Sequence, residues 1–254
     1  MKKYPTGYLP EPDNPKHYSF EKQLVPRMTP RALQDVDLRE FSPFRRSQGN
    51  TRSCVGHAVV KALEIQHAFK VGVQNMVPLS VLQVYYLARE IMFPKQTSWD
   101  SGTFISHACD AARRFGVCPE VDWPFDPVKV NVSPSWAAMR HAYQHRAAAF
   151  YKIGATGNDR VIAVREALVQ SFPVIIGTDV GDNWQEYRGD QVLEVCPSPD
   201  DKHATTIIGF KDGLFIGENS WGNRWGDNGF YRMDPAVIAS SQCYECWVVT
   251  KASE

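Results

Sequence analysis

Apolar positions in the first half of the chain recur with a helical period. One such series has the spacing of a buried helix face and comprises Val55, Ala58, Val59, Ala62, Leu63 and Ile65. This series predicts a helix that begins near Ser53 and therefore places Cys54 at the helix N-terminus. The same kind of pattern predicts three further helices, over residues 80–91, 104–115 and 135–150.

The pattern changes in the second half to short apolar runs separated by Gly, Asn and Asp turns. These runs predict strands at residues 172–177, 204–210, 214–218, 229–233 and 246–251. Helices therefore dominate the first half and strands the second. We expect an α+β fold of two packed halves, with a cleft between them in which a ligand site would form.

Residues 1–36 are rich in proline and polar groups and show little periodicity. Their prolines forbid a long helix. We expect either an extended arm that lies over the rest of the protein or a disordered tail. Residues 37–254 are predicted to form the main domain, with a helical half over about 37–127 and a β-rich half over about 128–254.

Composition and charge narrow the class of protein. The chain has 254 residues, and Lys plus Arg equals Asp plus Glu at 28 each, so its formal net charge is zero. This balance gives no reason to expect a nucleic acid or an anionic membrane as partner. No run approaches the roughly 20 apolar residues of a membrane helix. We expect a monomer that neither binds nucleic acid nor inserts into a membrane.

The N-terminus begins with basic residues, but no apolar segment follows them. As it stands, the sequence therefore predicts no secretory signal. We expect a protein that stays in the cytoplasm or leaves the cell by a non-classical route, unless a signal has been removed.

The cysteines and histidines supply the first candidate chemistry. Six cysteines among 254 residues are too few for a disulfide scaffold. A thiol at a helix N-terminus, as predicted for Cys54, is favoured as thiolate, whereas the alternative is a buried structural cysteine. His141 and His145 are spaced i, i+4, but the zinc-peptidase motif needs Glu where Ala142 stands. We therefore predict no metal and no cofactor.

Three segments bear on the choice between a reactive and a structural Cys54. Residues 48–54 read Gln-Gly-Asn-Thr-Arg-Ser-Cys, residues 202–210 read Lys-His followed by an apolar run, and residues 219–222 read Asn-Ser-Trp-Gly. Together they resemble the papain family of cysteine peptidases in their order and spacing. Gln48 lies six residues before Cys54, and His203 lies 16 residues before Asn219. The segment at residues 7–13 is similar to bacterial and viral members that lack the long helical propeptide.

The resemblance implies a papain-like fold, with a helical left half and an antiparallel β-barrel-like right half. It implies that Cys54 is the nucleophile, that His203 is its base and that Asn219 orients the imidazole. Gln48 would complete the oxyanion hole together with the Cys54 amide. Trp221 would shield the bond between His203 and Asn219 and contact the substrate.

The resemblance also suggests residues that contact the substrate. Gly102 would let its backbone pair with a bound peptide as a short strand. Gly177 and Asp201 would lie near the pocket for the second residue before the cut, which suggests a roomy and acidic pocket. It also suggests a disulfide between Cys196 and Cys243, with Cys246 as the competing partner.

Several positions depart from the family pattern. Thr51 replaces a cysteine, so the disulfide usual at that position must be absent. Arg52 replaces a small glycine beside the cleft and would narrow the substrate path or bind acidic groups. Val55 replaces the usual aromatic residue. His57 lies three residues after Cys54, so a local Cys–His pair is conceivable, but we favour a packing role because His203 has the Asn partner.

Taken together, these residues predict a cysteine endopeptidase that acts on peptides or proteins. The alternatives are a catalytically inactive papain-like module that only binds peptides, and a transpeptidase or deamidase that uses the same site. A thiolate–imidazolium pair predicts a bell-shaped pH profile. Residues 1–35 are expected to block the cleft, in the manner of a zymogen.

Overall fold

The computed structural model of the chain describes residues 3–23 and 34–251, and of residue 251 the backbone only. The part of the predicted N-terminal arm at residues 24–33 lies outside the described residues. The helices are α1 Phe20–Gln23, α2 Cys54–Val71, α3 Val81–Met92, α4 Ile105–Phe115, α5 Trp136–Ala142, α6 Gly157–Val169, α7 Asp182–Gln185 and α8 Pro235–Ala239. The strands are β1 Val36–Asp37, β2 Ala147–Ile153, β3 Val174–Val180, β4 Asp201–Lys211, β5 Leu214–Glu218, β6 Phe230–Met233 and β7 Cys243–Lys251.

Helix α2 runs between the other helices and the sheet, and this position explains its composition. It packs on α3 and α4 on one side and on β4 and β7 on the other. Most of its side chains are therefore buried, including the charged Lys61 and Glu64. It begins at Cys54, as predicted, and stops at Gly72, whose φ of 85° ends the helical backbone.

The strands form one sheet in the order β2-β7-β3-β4-β5-β6, with β1 paired to β4. All of these pairings are antiparallel. In the middle of the sheet, Gly177 of β3 lies opposite Ala204 of β4 on one side and opposite Glu245 of β7 on the other. The register of β7 shifts immediately beyond this point, where Thr178 pairs with Cys243 and Tyr244 is the extra, bulged residue.

The predicted fourth helix is wrong in its second half. The helix begins near Ser135 as expected, and the Ser135 hydroxyl accepts from the Ala138 amide, but the helix ends at Ala142. Residues 147–153 form strand β2, which pairs with β7. Hydrogen bonds and packing from this distant strand outweigh the helical propensity of the three consecutive alanines at the start of β2.

The predicted fold class is confirmed, with helices mainly in the first half and an antiparallel sheet in the second. Two large apolar clusters form the core. One lies within the β-rich half, and the other joins α2, α3 and α4 to strands β3, β4 and β7. Within the described part of the chain, no helix is both long enough and apolar enough to span a membrane.

Candidate active site

Cys54 occupies the first turn of α2, against the sheet. Its side chain is fully buried. Backbone N–H groups of Ala204, Val55 and Gly7 lie near its sulfur and favour the thiolate. Ala204 follows His203 directly on β4, so packing of α2 on β4 brings the thiol beside the imidazole-bearing residue.

His203 and Asn219 form the second part of the site. The His203 Nε2 atom lies 2.7 Å from Asn219 Oδ1. A proton on Nε2 satisfies this contact and leaves His203 Nδ1 as the basic nitrogen. Nδ1 is buried and has no hydrogen-bond partner among the described residues. The Trp221 ring packs 4.7 Å from the imidazole ring, between centroids, and covers it.

Gln48 is held by residues from both halves of the molecule. Its Oε1 accepts the Ser220 hydroxyl at 2.6 Å, and its backbone N–H donates to the Ser220 carbonyl at 2.8 Å. Its Nε2 donates to the Thr51 carbonyl at 2.7 Å. An amide nitrogen carries two protons, so the bond to Thr51 uses one N–H of the Gln48 amide and leaves the other.

Burial sets the protonation of the site in this conformation. It raises the pKa of the Cys54 thiol to about 12, although backbone N–H groups oppose the shift. It lowers the pKa of His203 to about 4, although the hydrogen bond to Asn219 opposes the shift. Thiol and imidazole are therefore both neutral at pH 7, and the ion pair expected from the sequence is not the form favoured here.

The N-terminal segment lies across the site. Thr103 N donates to the Gly7 carbonyl at 3.1 Å, and Leu9 N donates to the Thr103 carbonyl at 3.2 Å. Tyr8 thereby pairs with Thr103 as a short parallel bridge. Further along, the Tyr4 ring stacks on Trp221 at 4.8 Å between centroids. Residues 4–9, here called the arm, thus occupy the groove that contains Cys54.

The Tyr8 side chain points into the sheet at Gly177. A Cβ atom on Gly177 would lie 2.2 Å from the Tyr8 ring, so the ring fills the space that this glycine leaves. The Tyr8 hydroxyl donates to Glu245 Oε1 at 2.6 Å, and Glu245 Oε2 accepts from Trp247 Nε1 at 2.7 Å. Glu245 is buried, and burial raises its pKa.

Comparisons with known proteins agree with this geometry. The sequence profile of the "Papain family cysteine protease" family matches residues 33–252. The chain belongs to the papain family of cysteine proteases. The family predicted from the sequence is therefore confirmed, and the protein is a cysteine peptidase by family.

Individual relatives of this papain-family chain are viral, bacterial and plant proteins. An "uncharacterized peptidase C1-like protein" of Acanthamoeba polyphaga mimivirus is 27% identical over 237 residues, which cover 89% of this chain and 72% of the relative. Macrodontain-1 of Ananas macrodontes is 25% identical over 209 residues, which cover 79% of this chain and 88% of macrodontain-1. The structure of xylellain, a cysteine protease of Xylella fastidiosa, superposes with a TM-score of 0.81 at 22% identity. The superposition covers 99% of this chain and 98% of xylellain.

The papain-family resemblance predicted several substrate-contacting residues, and the structure brings most of them to the groove. Gly102 faces the arm, since a Cβ on it would lie 2.2 Å from the Gly7 carbonyl oxygen. Trp221 donates through Nε1 to the Pro5 carbonyl at 3.1 Å. Asp201 acts electrostatically on both Cys54 and His203.

Two residues of the groove were missed by sequence reasoning. The carboxylate that contacts the Tyr8 hydroxyl belongs to Glu245, and the sequence analysis singled out neither residue. The signal that could have suggested Glu245 is a lone acidic residue inside the apolar β7 segment. Such a residue is costly to bury without a partner, so the sequence implies that a donor lies near it.

The departures from the family pattern have local explanations. Arg52 lines the arm: its Nε lies 3.4 Å from the Thr6 carbonyl, and its backbone N–H donates to Asp100. His57 has its Nδ1 atom 3.1 Å from the Ser53 carbonyl and packs edge-on against Phe125. Burial lowers the pKa of His57 to about 3. These contacts agree with the packing role favoured for His57.

The predicted Cys196–Cys243 disulfide does not form in the structure. All six cysteines are buried free thiols. The Cys243 sulfur lies 3.5 Å from that of Cys246, the competing partner, because the bulge in β7 brings these two residues together. In the described ranges 3–23 and 34–251, no group of three or more His, Cys, Asp or Glu residues could hold a metal ion.

Proposed function

We propose that this papain-family peptidase is an endopeptidase that acts through Cys54, His203, Asn219 and Gln48. The observation that carries the proposal is the 2.7 Å contact between His203 Nε2 and Asn219 Oδ1, with His203 Nδ1 left unpartnered. An imidazole held in this way has one free basic nitrogen in a fixed orientation. It is the arrangement that a general base for a neighbouring thiol needs.

The reaction follows from the roles of these atoms. The Cys54 sulfur attacks the peptide carbonyl carbon while its proton passes to His203 Nδ1. The oxyanion is stabilised by the Cys54 amide and the remaining N–H of Gln48, each worth on the order of 3 kcal/mol. His203 then protonates the leaving amine, and the carbon–nitrogen bond breaks to give a thioester. The same imidazole accepts a proton from the water that hydrolyses this thioester.

The arm supports a second part of the proposal, namely that the chain is held inactive until the arm leaves the groove. The Gly7 N–H lies near the Cys54 sulfur, Tyr4 covers Trp221 and Tyr8 pairs with Thr103. A substrate therefore cannot reach the thiol while the arm is docked. We assign an inhibitory role to the N-terminal segment and the catalytic role to the domain that follows residue 36.

Labelling with a peptidyl epoxide, followed by mass spectrometry of the digested protein, tests the nucleophile. We expect a single adduct on Cys54 that is lost in His203→Ala, and peptide cleavage that is lost in Cys54→Ser. Cys109→Ser is the matched control, because Cys109 is also a buried helical cysteine and should change neither result. Product masses distinguish hydrolysis from ligation or deamidation.

If Cys54 remains unlabelled and no peptide is cleaved even when the arm is displaced, the endopeptidase proposal is wrong. The arm is displaced for this purpose by the Gly7→Val substitution described in the Discussion. Labelling that is equally fast in the wild type and in Gly7→Val would contradict the inhibitory role of the arm but not the endopeptidase proposal.

A further inference from the structure

We propose that Cys243 and Cys246 are a redox pair, which a hydroperoxide closes to a disulfide, and that closing this bond loosens the docked arm. Neither cysteine takes part in the mechanism proposed above, and their oxidation does not depend on peptidase activity. Three features of β7 support the pair: the register of the strand, the contact between the two sulfurs and the residue that stands between them and the arm.

The bulge in β7 brings the two cysteines to one face of the sheet. Residues three apart in a regular strand project from opposite faces, because side chains alternate. In β7, however, Cys246 pairs with Ile176 of β3, and Cys243 pairs only two residues further along β3, with Thr178. The extra residue, Tyr244, therefore puts both cysteines on the same face. Their sulfurs lie 3.5 Å apart in the apolar core of the β-rich half.

Closing a disulfide between these sulfurs requires only a small movement. A disulfide bond is about 2.0 Å long, so the sulfurs would approach each other by roughly 1.5 Å. The Cys196 sulfur packs elsewhere, against Gly181, where a Cβ atom would lie 2.7 Å from it. Cys243 is therefore placed to react with Cys246 and not with Cys196.

The two thiols have different roles in the oxidation. The Cys246 thiol donates to the Cys243 sulfur and so lowers the pKa of Cys243, and the Arg160 guanidinium lowers it further, although burial opposes the shift. Arg160 is held beside this cysteine because it also donates to the Cys243 carbonyl. The same contact between the thiols, together with burial, raises the pKa of Cys246. Cys243 is therefore the attacking thiol and Cys246 the resolving one.

One hydroperoxide supplies the oxidation. The Cys243 thiolate attacks an oxygen of the hydroperoxide, the O–O bond breaks, and the alkoxide leaves with the proton that Cys243 has given up, so that Cys243 becomes a sulfenic acid. The Cys246 sulfur then attacks the Cys243 sulfur, the S–O bond breaks, and hydroxide leaves with the Cys246 proton as water. The two thiols lose two electrons, and the hydroperoxide is reduced to an alcohol and water. Local opening at the bulge, where Tyr244 is 37% exposed, gives a small hydroperoxide access to the sulfurs.

The residue between the cysteines connects the pair to the arm. Glu245 pairs with Gly177, so it projects from the opposite face of β7, where its Oε1 accepts from the Tyr8 hydroxyl at 2.6 Å. This length is within the range that a hydroxyl donor prefers, so a displacement of the carboxylate weakens the bond. A disulfide draws together the backbone on both sides of Glu245 and therefore displaces it. The dithiol form holds the arm, and the disulfide form releases it more readily.

Oxidation of the full-length Cys54→Ser variant with hydrogen peroxide tests the bond, because the proposed nucleophile cannot react in this variant. After denaturation, a glutamate-specific protease cuts between the two cysteines at Glu245. We expect the resulting fragments to stay joined in the oxidised protein and to separate on reduction, and the intact protein to lose the mass of two hydrogens. A bond from either cysteine to Cys196, or oxidation of Cys109 before this pair, would overturn the proposal.

Single substitutions in the same Cys54→Ser protein separate the two roles. In Cys246→Ser, the sulfenic acid on Cys243 has no resolving thiol, so it should accumulate and be captured by dimedone. In Cys243→Ser, the attacking thiol is gone, so Cys246 should stay unreacted at the same peroxide concentration. Cys118→Ser is the matched control, because it removes a buried cysteine outside β7 and should form the disulfide at an unchanged rate. Equally fast dimedone labelling in the two β7 variants would contradict the roles assigned.

Hydrogen exchange measures whether the disulfide loosens the arm. The Leu9 amide donates to Thr103 and the Thr103 amide donates to Gly7, so both report on the docked arm. We expect both amides to exchange roughly tenfold faster in the oxidised Cys54→Ser protein, the effect of losing one buried hydrogen bond. Adding Cys246→Ser should abolish this response to peroxide.

Equal exchange in the dithiol and disulfide forms would overturn the link between the redox pair and the arm. None of these measurements requires peptide cleavage, so they are decided separately from the proposed function. A chain that forms the disulfide and loosens its arm but cleaves no peptide would support the redox pair and refute the peptidase.

Discussion

Among single residues, Gly7 has almost no room for a side chain of its own. A Cβ atom at this position would lie 1.9 Å from the Arg52 carbonyl oxygen, just before α2. On its other side, the Gly7 carbonyl accepts from Thr103, and a side chain on Gly102 would collide with it. The arm can dock only because two glycines face each other at this point.

We expect Gly7→Val to open the groove. The overlap with the Arg52 backbone cannot be relieved by a rotamer change, so the docked arm is destabilised. Labelling of Cys54 and peptide hydrolysis should both become at least about tenfold faster, which corresponds to about 1.4 kcal/mol of lost docking free energy. Stopped-flow alkylation and a fluorogenic peptide assay would measure the two rates.

The control for this substitution is Gly154→Ala. A Cβ on Gly154 would meet nothing closer than 3.8 Å, so this variant should behave as the wild type. If Gly7→Val reacts at the wild-type rate, the arm does not limit access to Cys54.

The sequence was informative about single residues where their chemistry depends on a local motif. Gln48 and Cys54 lie in one short segment, and the spacing of His203 and Asn219 follows from two adjacent strands. The place of Glu245 in the groove could not be predicted, because its cross-strand neighbour Gly177 is distant in the chain and the two meet only through the register of β3 and β7. The bulge that sets this register has no clear sequence signal.

At the scale of elements, the arm is coupled to the protonation of the site. Burial lowers the pKa of His203 from an ordinary value of 6.5 to about 4, and raises that of Cys54 from 9.0 to about 12. Part of this burial comes from the arm, because Gly7 contacts Cys54 and Tyr4 covers Trp221. The docked arm therefore favours the neutral forms of both groups.

This coupling predicts how docking depends on pH. The contribution of His203 to the free energy of arm docking is present above pH 6.5 and is lost as the pH falls towards 4. The contribution of Cys54 is present below pH 9.0 and is lost as the pH rises towards 12. We expect the ratio of Gly7→Val to wild-type activity to be largest between these limits and to fall on acidification below pH 6.5. Parallel pH–rate profiles of the two proteins would measure it.

The ratio of Gly7→Val to wild-type activity cancels the pH effects that are common to both proteins. His57 also has a pKa lowered by burial, to about 3, but the contacts described for it are with Ser53 and Phe125 and not with the arm. Its protonation should therefore affect both proteins equally. A ratio that stays constant from pH 7 to pH 4 would show that the arm does not contribute to the burial of His203.

Elements were predictable where periodicity was strong and the element was packed on both sides. The start of α2 and the bounds of α3 and α4 agree with the sequence to within a residue or two, since these ends are clearly marked. The second half of the predicted fourth helix became strand β2, and α6 was missed. Residues 147–153 form a strand and not a helix because they pair with β7. Such non-local pairing leaves no periodic pattern in a short alanine-rich segment.

For the molecule as a whole, a buried ion pair joins the two halves behind the active site. Lys61 on α2 lies 2.9 Å from Glu218 at the end of β5, and their side chains are 7% and 1% exposed. Lys61 also donates to the Ser42 hydroxyl and the Phe44 carbonyl. Because Glu218 directly precedes Asn219, this ion pair fixes α2, which begins at Cys54, relative to β5, which leads into Asn219.

We expect Lys61→Met to lower the free energy of unfolding by about 3–5 kcal/mol, because Glu218 would keep a buried charge without its principal partner. Urea unfolding followed by circular dichroism would measure the change. The control is Arg113→Met, which breaks an ion pair to Asp110 whose side chains are 45% and 21% exposed. That pair should contribute less than about 1 kcal/mol. Equal losses in both variants would contradict the structural role of Lys61.

The stack of Tyr4 on Trp221 gives the protein an optical reporter of its own. When the arm departs, the indole loses its parallel neighbour and its hydrogen bond to the Pro5 carbonyl, and it becomes exposed to water. The emission of this tryptophan would shift to longer wavelength as a result. The opening of the groove can therefore be followed in real time, without dye or substrate, and its rate compared with that of turnover to learn which step limits the enzyme.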